Sequence, residues 1–214
     1  MKSGNRSGHS GLSNIPRESS QVAKYYDDWA IEYNESLANW NYDAPEKVAS
    51  ILRSELPPES VLLDAGCGTG LSGRALSSAG FTTIDGIDVS PRSLNVAINS
   101  GAYHSLRTMD MQNFPLEIPD SQYDGLICVG VLTYLTDSAG TLREFSRIVR
   151  SGGIIVMTQR SDLFVEREFE SVLMELSGEG LIGHVRISEP HSYLPANEEF
   201  SDKILVHYII CTVL

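Results

Sequence analysis

At 214 residues, with 42% hydrophobic and 21% charged side chains, the chain holds enough apolar material for one ordinary core, and no run approaches the length of a membrane-spanning helix. A formal net charge of −12 without any Lys/Arg cluster argues against direct binding of DNA or RNA. Three widely separated cysteines, Cys67, Cys128 and Cys211, fit neither a disulfide framework nor a zinc pattern, and the polar N-terminus lacks an apolar leader; both point to a reducing, cytoplasmic compartment.

Residues 1–18 are rich in Ser, Gly and Asn and too poor in apolar groups to offset the entropy of ordering, so a disordered tail is expected. Between Ser20 and Asn39, the residues Val22, Tyr25, Tyr26, Trp29, Tyr33 and Leu37 recur every three or four positions, the stripe of an amphipathic helix. Pro45 suits the first turn of a second helix, Glu46 to Leu56, which Pro57-Pro58 stops. Residues 19–58 are read as a helical cap in front of a domain spanning 59–214.

From Ser60 onward strands and helices alternate. Strand 60–65 leads to helix 71–79, and strand 81–88 to helix 91–99, which Ser90 caps and Pro91 opens. Strands 104–109 and 123–129 follow, then helix 138–149. The turn Ser151-Gly152-Gly153 leads into strand 154–159, and helix 163–177 comes next. Two strands, about 181–188 and 203–213, end the chain and are close enough in sequence to pair antiparallel as a hairpin-like edge. The alternation predicts an α/β fold with a doubly wound, mostly parallel sheet.

The chemistry concentrates in Val61-Leu-Leu-Asp64-Ala65-Gly66-Cys67-Gly68-Thr69-Gly70, an apolar strand ending in a carboxylate and a glycine-dense turn. Two registers compete. Gly68-Thr-Gly70-Leu-Ser-Gly73 is a literal G-x-G-x-x-G, the dinucleotide fingerprint, but its first glycine falls four residues beyond Asp64 and not at the strand end. Asp64-x-Gly66-x-Gly68-x-Gly70 starts where the strand stops. A pyrophosphate at the helix N-terminus would be repelled by Asp64. S-adenosylmethionine carries a sulfonium and an ammonium and no phosphate, and an acidic strand end suits it. Asp88 closes the next strand, where a carboxylate can accept hydrogen bonds from both ribose hydroxyls of either ligand. Asp110, with Met111 beside it, stands at the end of the following strand, within reach of an adenine amino group. The strand ending near Val129-Gly130 would bring backbone under the ligand.

Taken together, Asp64-Ala-Gly-Cys-Gly-Thr-Gly70, Gly86-Ile-Asp-Val-Ser90, Asp110, Tyr123-Asp124, Leu132-Thr-Tyr-Leu135 and Val149-Arg-Ser-Gly-Gly153 resemble, in order and spacing over residues 22–160, the motifs of class I S-adenosylmethionine-dependent methyltransferases. A closer resemblance to one subfamily lies in Tyr25-Tyr-Asp-Asp-Trp-Ala30, Tyr42-Asp-Ala-Pro45 and Gly101-Ala-Tyr-His104. The resemblance implies a Rossmann-like sheet of seven strands, the last inserted antiparallel, and S-adenosyl-L-methionine as cofactor. It places Gly66 and Gly68 on the methionine part, Asp64 with Ala65 at its amino end, and Asp88 on the ribose. Val89 and Met111 would sandwich the adenine, Asp110 would bind its amino group, Val129 would lie beneath, and Tyr25 and Tyr33 would cover the ligand. Two departures stand out. Ser151 replaces the usual proline of the turn, and Tyr134 stands where a histidine is common.

The expected reaction is an in-line methyl transfer catalysed mainly by alignment, with Tyr134 and His191 as candidates for the acceptor side and Arg160 as a partner for an acidic substrate group. The aromatic stripe also reads as core packing, and Cys67 as a small filler of the turn. His104, His184 and His207 read as structural. A small-molecule acceptor is expected, with neither nucleic acid nor membrane as partner and no metal. Two alternatives stay open: an NAD(P)-binding oxidoreductase or epimerase, although its Tyr-x-x-x-Lys pair is missing, and a non-catalytic S-adenosylmethionine-binding adaptor.

Overall fold

The computed structural model describes residues 17–198 and 203–214; the tail expected over 1–18 lies outside them up to residue 16. The elements run α1 Ser19–Trp29, α2 Tyr33–Asn39, α3 Ala44–Glu55, β1 Val61–Ala65, α4 Leu71–Ser78, β2 Thr83–Asp88, α5 Pro91–Ile98, β3 Ser105–Thr108 and β4 Tyr123–Cys128. They continue with α6 Ser138–Ile148, β5 Val149–Arg160, α7 Ser161–Glu166, α8 Phe169–Gly178, β6 Ile182–Ile187, β7 His191–Ser192 and β8 Leu205–Val213.

One sheet carries the fold, with strand order β3-β2-β1-β4-β5-β8-β6. The first five strands of this path pair parallel, and β8 runs antiparallel to both its neighbours. The central strand β1 reads Val-Leu-Leu-Asp-Ala, and Leu62 and Leu63 are both fully buried, as a strand covered on two faces requires. One face packs Leu142 and Phe145 of α6 with Phe169, Leu173 and Leu176 of α8; the other packs Val48 and Leu52 of α3 with Leu76 of α4. Among the described residues no helix is long and apolar enough to cross a membrane.

Four details depart from the sequence reading. The stripe over 20–39 is two helices, broken by a turn at residues 30–32 in which the Glu32 N–H donates to Trp29 O. The turn buries Trp29 and exposes Ile31, and it sets the Trp29 and Tyr33 rings edge to face at 4.7 Å. Helix 163–177 is also two helices, interrupted where Glu168 takes φ +47°. The turn at Ser151–Gly153 lies inside β5 as an irregularity with Gly152 at φ +75°. The closing strands pair antiparallel as expected, with β8 inserted between β5 and β6 as the resemblance implies, so that only β6 is an edge. Buried positions on both faces of β8 demand cover, whereas β6 carries the exposed, charged Arg186, paired with Glu55, that an edge tolerates. The two-residue β7 adds an eighth strand against β8.

Candidate functional site

The carboxyl ends of β1, β2, β3 and β4 open on one cleft, with about 700 Å³ of empty space. Its floor is the turn after β1. Gly66, Gly68 and Gly70 take φ of +85°, +51° and +89°, a run that side chains on all three would strain. Gly66 and Cys67 donate their N–H groups to Ile87 O at 2.8 and 3.0 Å, which ties the turn to β2. A Cβ on Gly66 would lie 2.4 Å from Val131 Cγ2, so the loop after β4 closes down on this residue.

Gly73, the third glycine of the literal G-x-G-x-x-G, has a different use. A Cβ there would lie 2.2 Å from Cζ of Tyr103. The Tyr103 hydroxyl accepts the Gly73 N–H at 3.0 Å and donates to Asp64 Oδ2 at 2.7 Å. The glycine is thus a socket for a tyrosine ring, not a seat for a pyrophosphate. Asp64 itself is fully buried, and its Oδ1 has no hydrogen-bond partner. Burial pushes its carboxyl up to about 7; the Tyr103 hydroxyl pulls it down, the Asp88 charge pushes it up, and the nearby Ser72 hydroxyl pulls it down.

Asp88 holds two backbone donors, Gly68 N–H through Oδ2 and Ser90 N–H through Oδ1, each at 2.8 Å. Burial raises its pKa against those bonds. Ser90 caps α5 and donates its hydroxyl to Asp27 Oδ1 at 2.6 Å, and the same oxygen accepts the Arg92 N–H at 3.0 Å. Asp27 on α1 therefore completes the N-terminus of α5. Asp110 Oδ1 accepts the Ser19 hydroxyl at 2.9 Å, and Thr69 donates to Asn34 Oδ1 at 2.5 Å. These bonds lay α1 and α2 across the cleft.

The far wall is aromatic. The Tyr26 and Tyr134 hydroxyls meet at 2.7 Å, joining α1 to the loop after β4. That loop is held by the Arg167 guanidinium, which donates to the carbonyls of Leu132, Thr133 and Leu135 at 2.8–2.9 Å. Burial lowers the Arg167 pKa. The break between α7 and α8 is what brings this residue to the loop. Behind Tyr26, Tyr33 and Tyr134 lies a second, smaller chamber, also walled by Trp29, Tyr42, Tyr193 and Arg160.

Of the residues singled out from the sequence, the cleft brings together Tyr33, Gly66, Gly68, Asp88, Val89, Asp110, Met111, Val129 and Tyr134. Asp64 and Ala65 are fully buried beneath the turn and do not line it. Tyr26, not its neighbour Tyr25, lines both cavities; Tyr25 stacks edge-on against Tyr26 and Trp29. His191 is exposed on β7, edge to face with Tyr208, and lines neither cavity. Of the chamber's further walls, Arg160 was named in the sequence and Tyr42 only as part of a motif, while Tyr193 was not singled out. Asp27, Tyr103 and Arg167 gave no signal of their own. His104 and His207 bond within the scaffold, to Asp85 and to Ser188 O. All three cysteines are free and buried, and burial raises their thiol pKa values, that of Cys211 up to about 12.

The cleft's electrostatics are one-sided. Asp88 and Asp110 line it, Asp64 lies beneath it, and among the described lining residues there is no lysine or arginine. Such a cleft favours a cationic, phosphate-free ligand over a pyrophosphate, and the glycine turn leaves backbone room for one.

Comparison with known proteins agrees with this geometry. A family profile described as a methyltransferase domain matches residues 63–157. Human methyltransferase-like protein 27 is 32% identical over 167 residues, covering 75% of this chain and 68% of that protein. Demethylmenaquinone methyltransferase of Tropheryma whipplei is 33% identical over 100 residues, 47% of this chain; the chain spans only 41% of that relative's length. Among solved structures, a Thermotoga maritima S-adenosylmethionine-dependent methyltransferase, described as a possible histamine N-methyltransferase, superposes with a TM-score of 0.63 at 19% identity. That match covers 88% of this chain and 98% of the other, and at such identity it speaks for the fold.

Proposed function

The chain belongs to the class I S-adenosylmethionine-dependent methyltransferases, and from that premise we propose that the cleft seats the cofactor while the adjoining aromatic chamber receives a small-molecule acceptor. The observation that carries this reading is the cleft's charge: carboxylates at the ends of β2 and β3, another buried under β1, and no cation in the described lining. The buried Asp64 beneath the glycine turn acts through its field, which favours a ligand that brings an ammonium.

S-adenosylmethionine supplies a methyl group already activated on a sulfonium. The chain's own residues then have three tasks. Gly66 and Gly68 present backbone to the methionine part, and Asp88 keeps lone pairs for the ribose while it fixes the turn. Met111 and Val89 offer apolar faces for the adenine, with Asp110 at the rim. Tyr26, Tyr33 and Tyr134 stand between cleft and chamber, exclude water and orient the acceptor. Alignment of this kind is worth up to roughly 7–11 kcal/mol of a barrier. A small acceptor is supported by a relative named for a quinone-type substrate.

Equilibrium titration with S-adenosylmethionine, S-adenosylhomocysteine and NAD tests the reading. The first two should bind and NAD should not. Asp88→Ala should weaken both by about 10–100-fold, the loss of a charged acceptor. Tight NAD binding without S-adenosylmethionine binding would sink the proposal.

A further inference from the structure

We infer that Tyr103 is a positioning residue for the cofactor seat: its hydroxyl holds the Asp64 carboxylate ionised beneath the glycine turn, and affinity for a cationic cofactor depends on that hold. This rests on the methyltransferase reading above and adds to it a residue that does not line the cleft.

Packing comes first. Glycines from three parts of the fold give way to one ring. A Cβ on Gly70 of the turn would lie 3.3 Å from Cε2 of Tyr103, one on Gly73 of α4 2.2 Å from Cζ, and one on Gly86 of β2 3.0 Å from Cδ1. The next residue, His104, donates its N–H to Ile84 O at 2.7 Å, which ties the backbone beside the ring to β2. The ring therefore bridges β2 and the first turn of α4 in a socket that leaves it little freedom.

The polarity of the hydroxyl follows from its partners. Gly70 precedes α4 and brings no side-chain cap, so the N–H of Gly73, the third residue of the helix, needs an acceptor from outside. Tyr103 supplies one at 3.0 Å. Its single proton is left for Asp64 Oδ2 at 2.7 Å. A hydrogen bond given to a carboxylate favours the charged form.

That donation has work to do, because burial and the Asp88 charge on β2 both favour the protonated form of Asp64. Cys67 of the turn and Cys128 of β4 also face Asp64, and burial keeps both thiols and the Tyr103 phenol protonated. Ser72 on α4 adds a second hydroxyl. Among these groups none is a cation, so hydroxyl donors alone offset the burial. An ionised Asp64 lends its field to the turn above it and favours an ammonium there; a protonated one lends none.

The test is a set of isotherms for S-adenosylmethionine and S-adenosylhomocysteine with the full chain, taken across the range near pH 7 in which Asp64 titrates. Affinity in the wild type should rise with pH as Asp64 ionises. Tyr103→Phe keeps the ring in its socket and removes only the hydroxyl. It should move that rise up by about one pH unit, a loss of roughly fivefold at neutral pH, and rejoin the wild type at higher pH. The ligand's own ammonium titrates alike with both chains and drops out of the ratio. In an Asp64→Asn chain the same substitution should leave the pH profile unmoved, since Tyr103 acts through Asp64. A second reading needs no variant: in carbon NMR of the ligand-free wild type, the Tyr103 ring signals should follow the Asp64 carboxyl with one midpoint. A profile that Tyr103→Phe does not move, a loss equal at every pH, or ring signals indifferent to Asp64 overturns the inference and leaves the methyltransferase reading standing. Failure of the wild type to bind either ligand at any pH overturns both.

Discussion

The two walls of the cleft are made of different material. The wall formed by β1, β2 and the glycine turn is backbone and buried carboxylate: strands fixed by ladder bonds, Gly66 and Cys67 tied to Ile87 O, Asp64 locked under Tyr103. The wall formed by α1, α2 and the loop after β4 is side chain: a cluster of rings fastened by polar contacts from Ser19, Asp27, Asn34, Tyr26 and Arg167. The first wall is set by topology and tolerates almost no change. The second meets the sheet through side chains, some of them, such as Leu132 and Leu135, part of its core. A scaffold built this way keeps its backbone wall while its aromatic wall is free to vary.

Substitutions can break that contrast or sharpen it. The largest effect is expected from Gly66→Ala, which forces a side chain to φ +85° and to 2.4 Å from Val131 Cγ2. Left-handed strain and overpacking together should cost about 2–5 kcal/mol and remove S-adenosylmethionine binding. Chemical denaturation and a binding isotherm check both, and an unaltered isotherm would show that the backbone wall is not as rigid as its contacts imply.

Asp64 comes next. Its carboxyl titrates near 7 in the fold and near 3.8 in the unfolded chain, so between these values the folded state binds more protons. Stability contributed by this group is therefore greatest below about pH 4 and falls as pH rises to about 7, with a slope of at most about 1.4 kcal/mol per unit. Asp64→Asn should flatten that slope in urea melts of the ligand-free chain. A slope unchanged by the substitution would assign it to another group.

The smallest change is expected from Asp27→Ala, which removes the α1 acceptor of the Ser90 hydroxyl and Arg92 N–H. About 1–2 kcal/mol of local stability should go. Hydrogen exchange should quicken in α1 and the first turn of α5 and stay unaltered in β1 and β4. Equal loss of protection throughout would mean that the two walls are one cooperative unit.

The same contrast explains what could be read from the sequence. Strand β1, its turn and the aspartates closing β2 and β3 were legible because local backbone demands write themselves as glycines and strand-end carboxylates at fixed spacing. The misplaced first glycine of Gly68-Thr-Gly70-Leu-Ser-Gly73 already argued against a dinucleotide, but its third glycine made sense only once Tyr103 was seen against it. Helical periodicity placed Tyr25 and Tyr26 in one stripe and could not say which faces the cleft, since adjacent helical residues differ by about 100°. It also ran through the breaks at residues 30–32 and at Glu168, because apolar spacing persists across both. His191 drew notice as a titratable residue near the expected substrate loop, yet strand β7 points it to solvent beside Tyr208. Asp27 and Arg167 act across 63 or more and 32 or more residues of chain, through contacts that no local period encodes.

The interruption at Glu168 makes the spacing between α7 and α8 a length gauge. Arg167 must reach three carbonyls on one side of the break, and Phe169, Leu173 and Leu176 must meet the core on the other. Deleting one residue there would fuse the helices and turn one set of side chains by about 100° against the other. Either the guanidinium would leave its loop or the apolar stripe would leave the sheet. Insertions and deletions in this short segment are thus felt at the aromatic wall of the cleft, although the segment itself touches neither cavity.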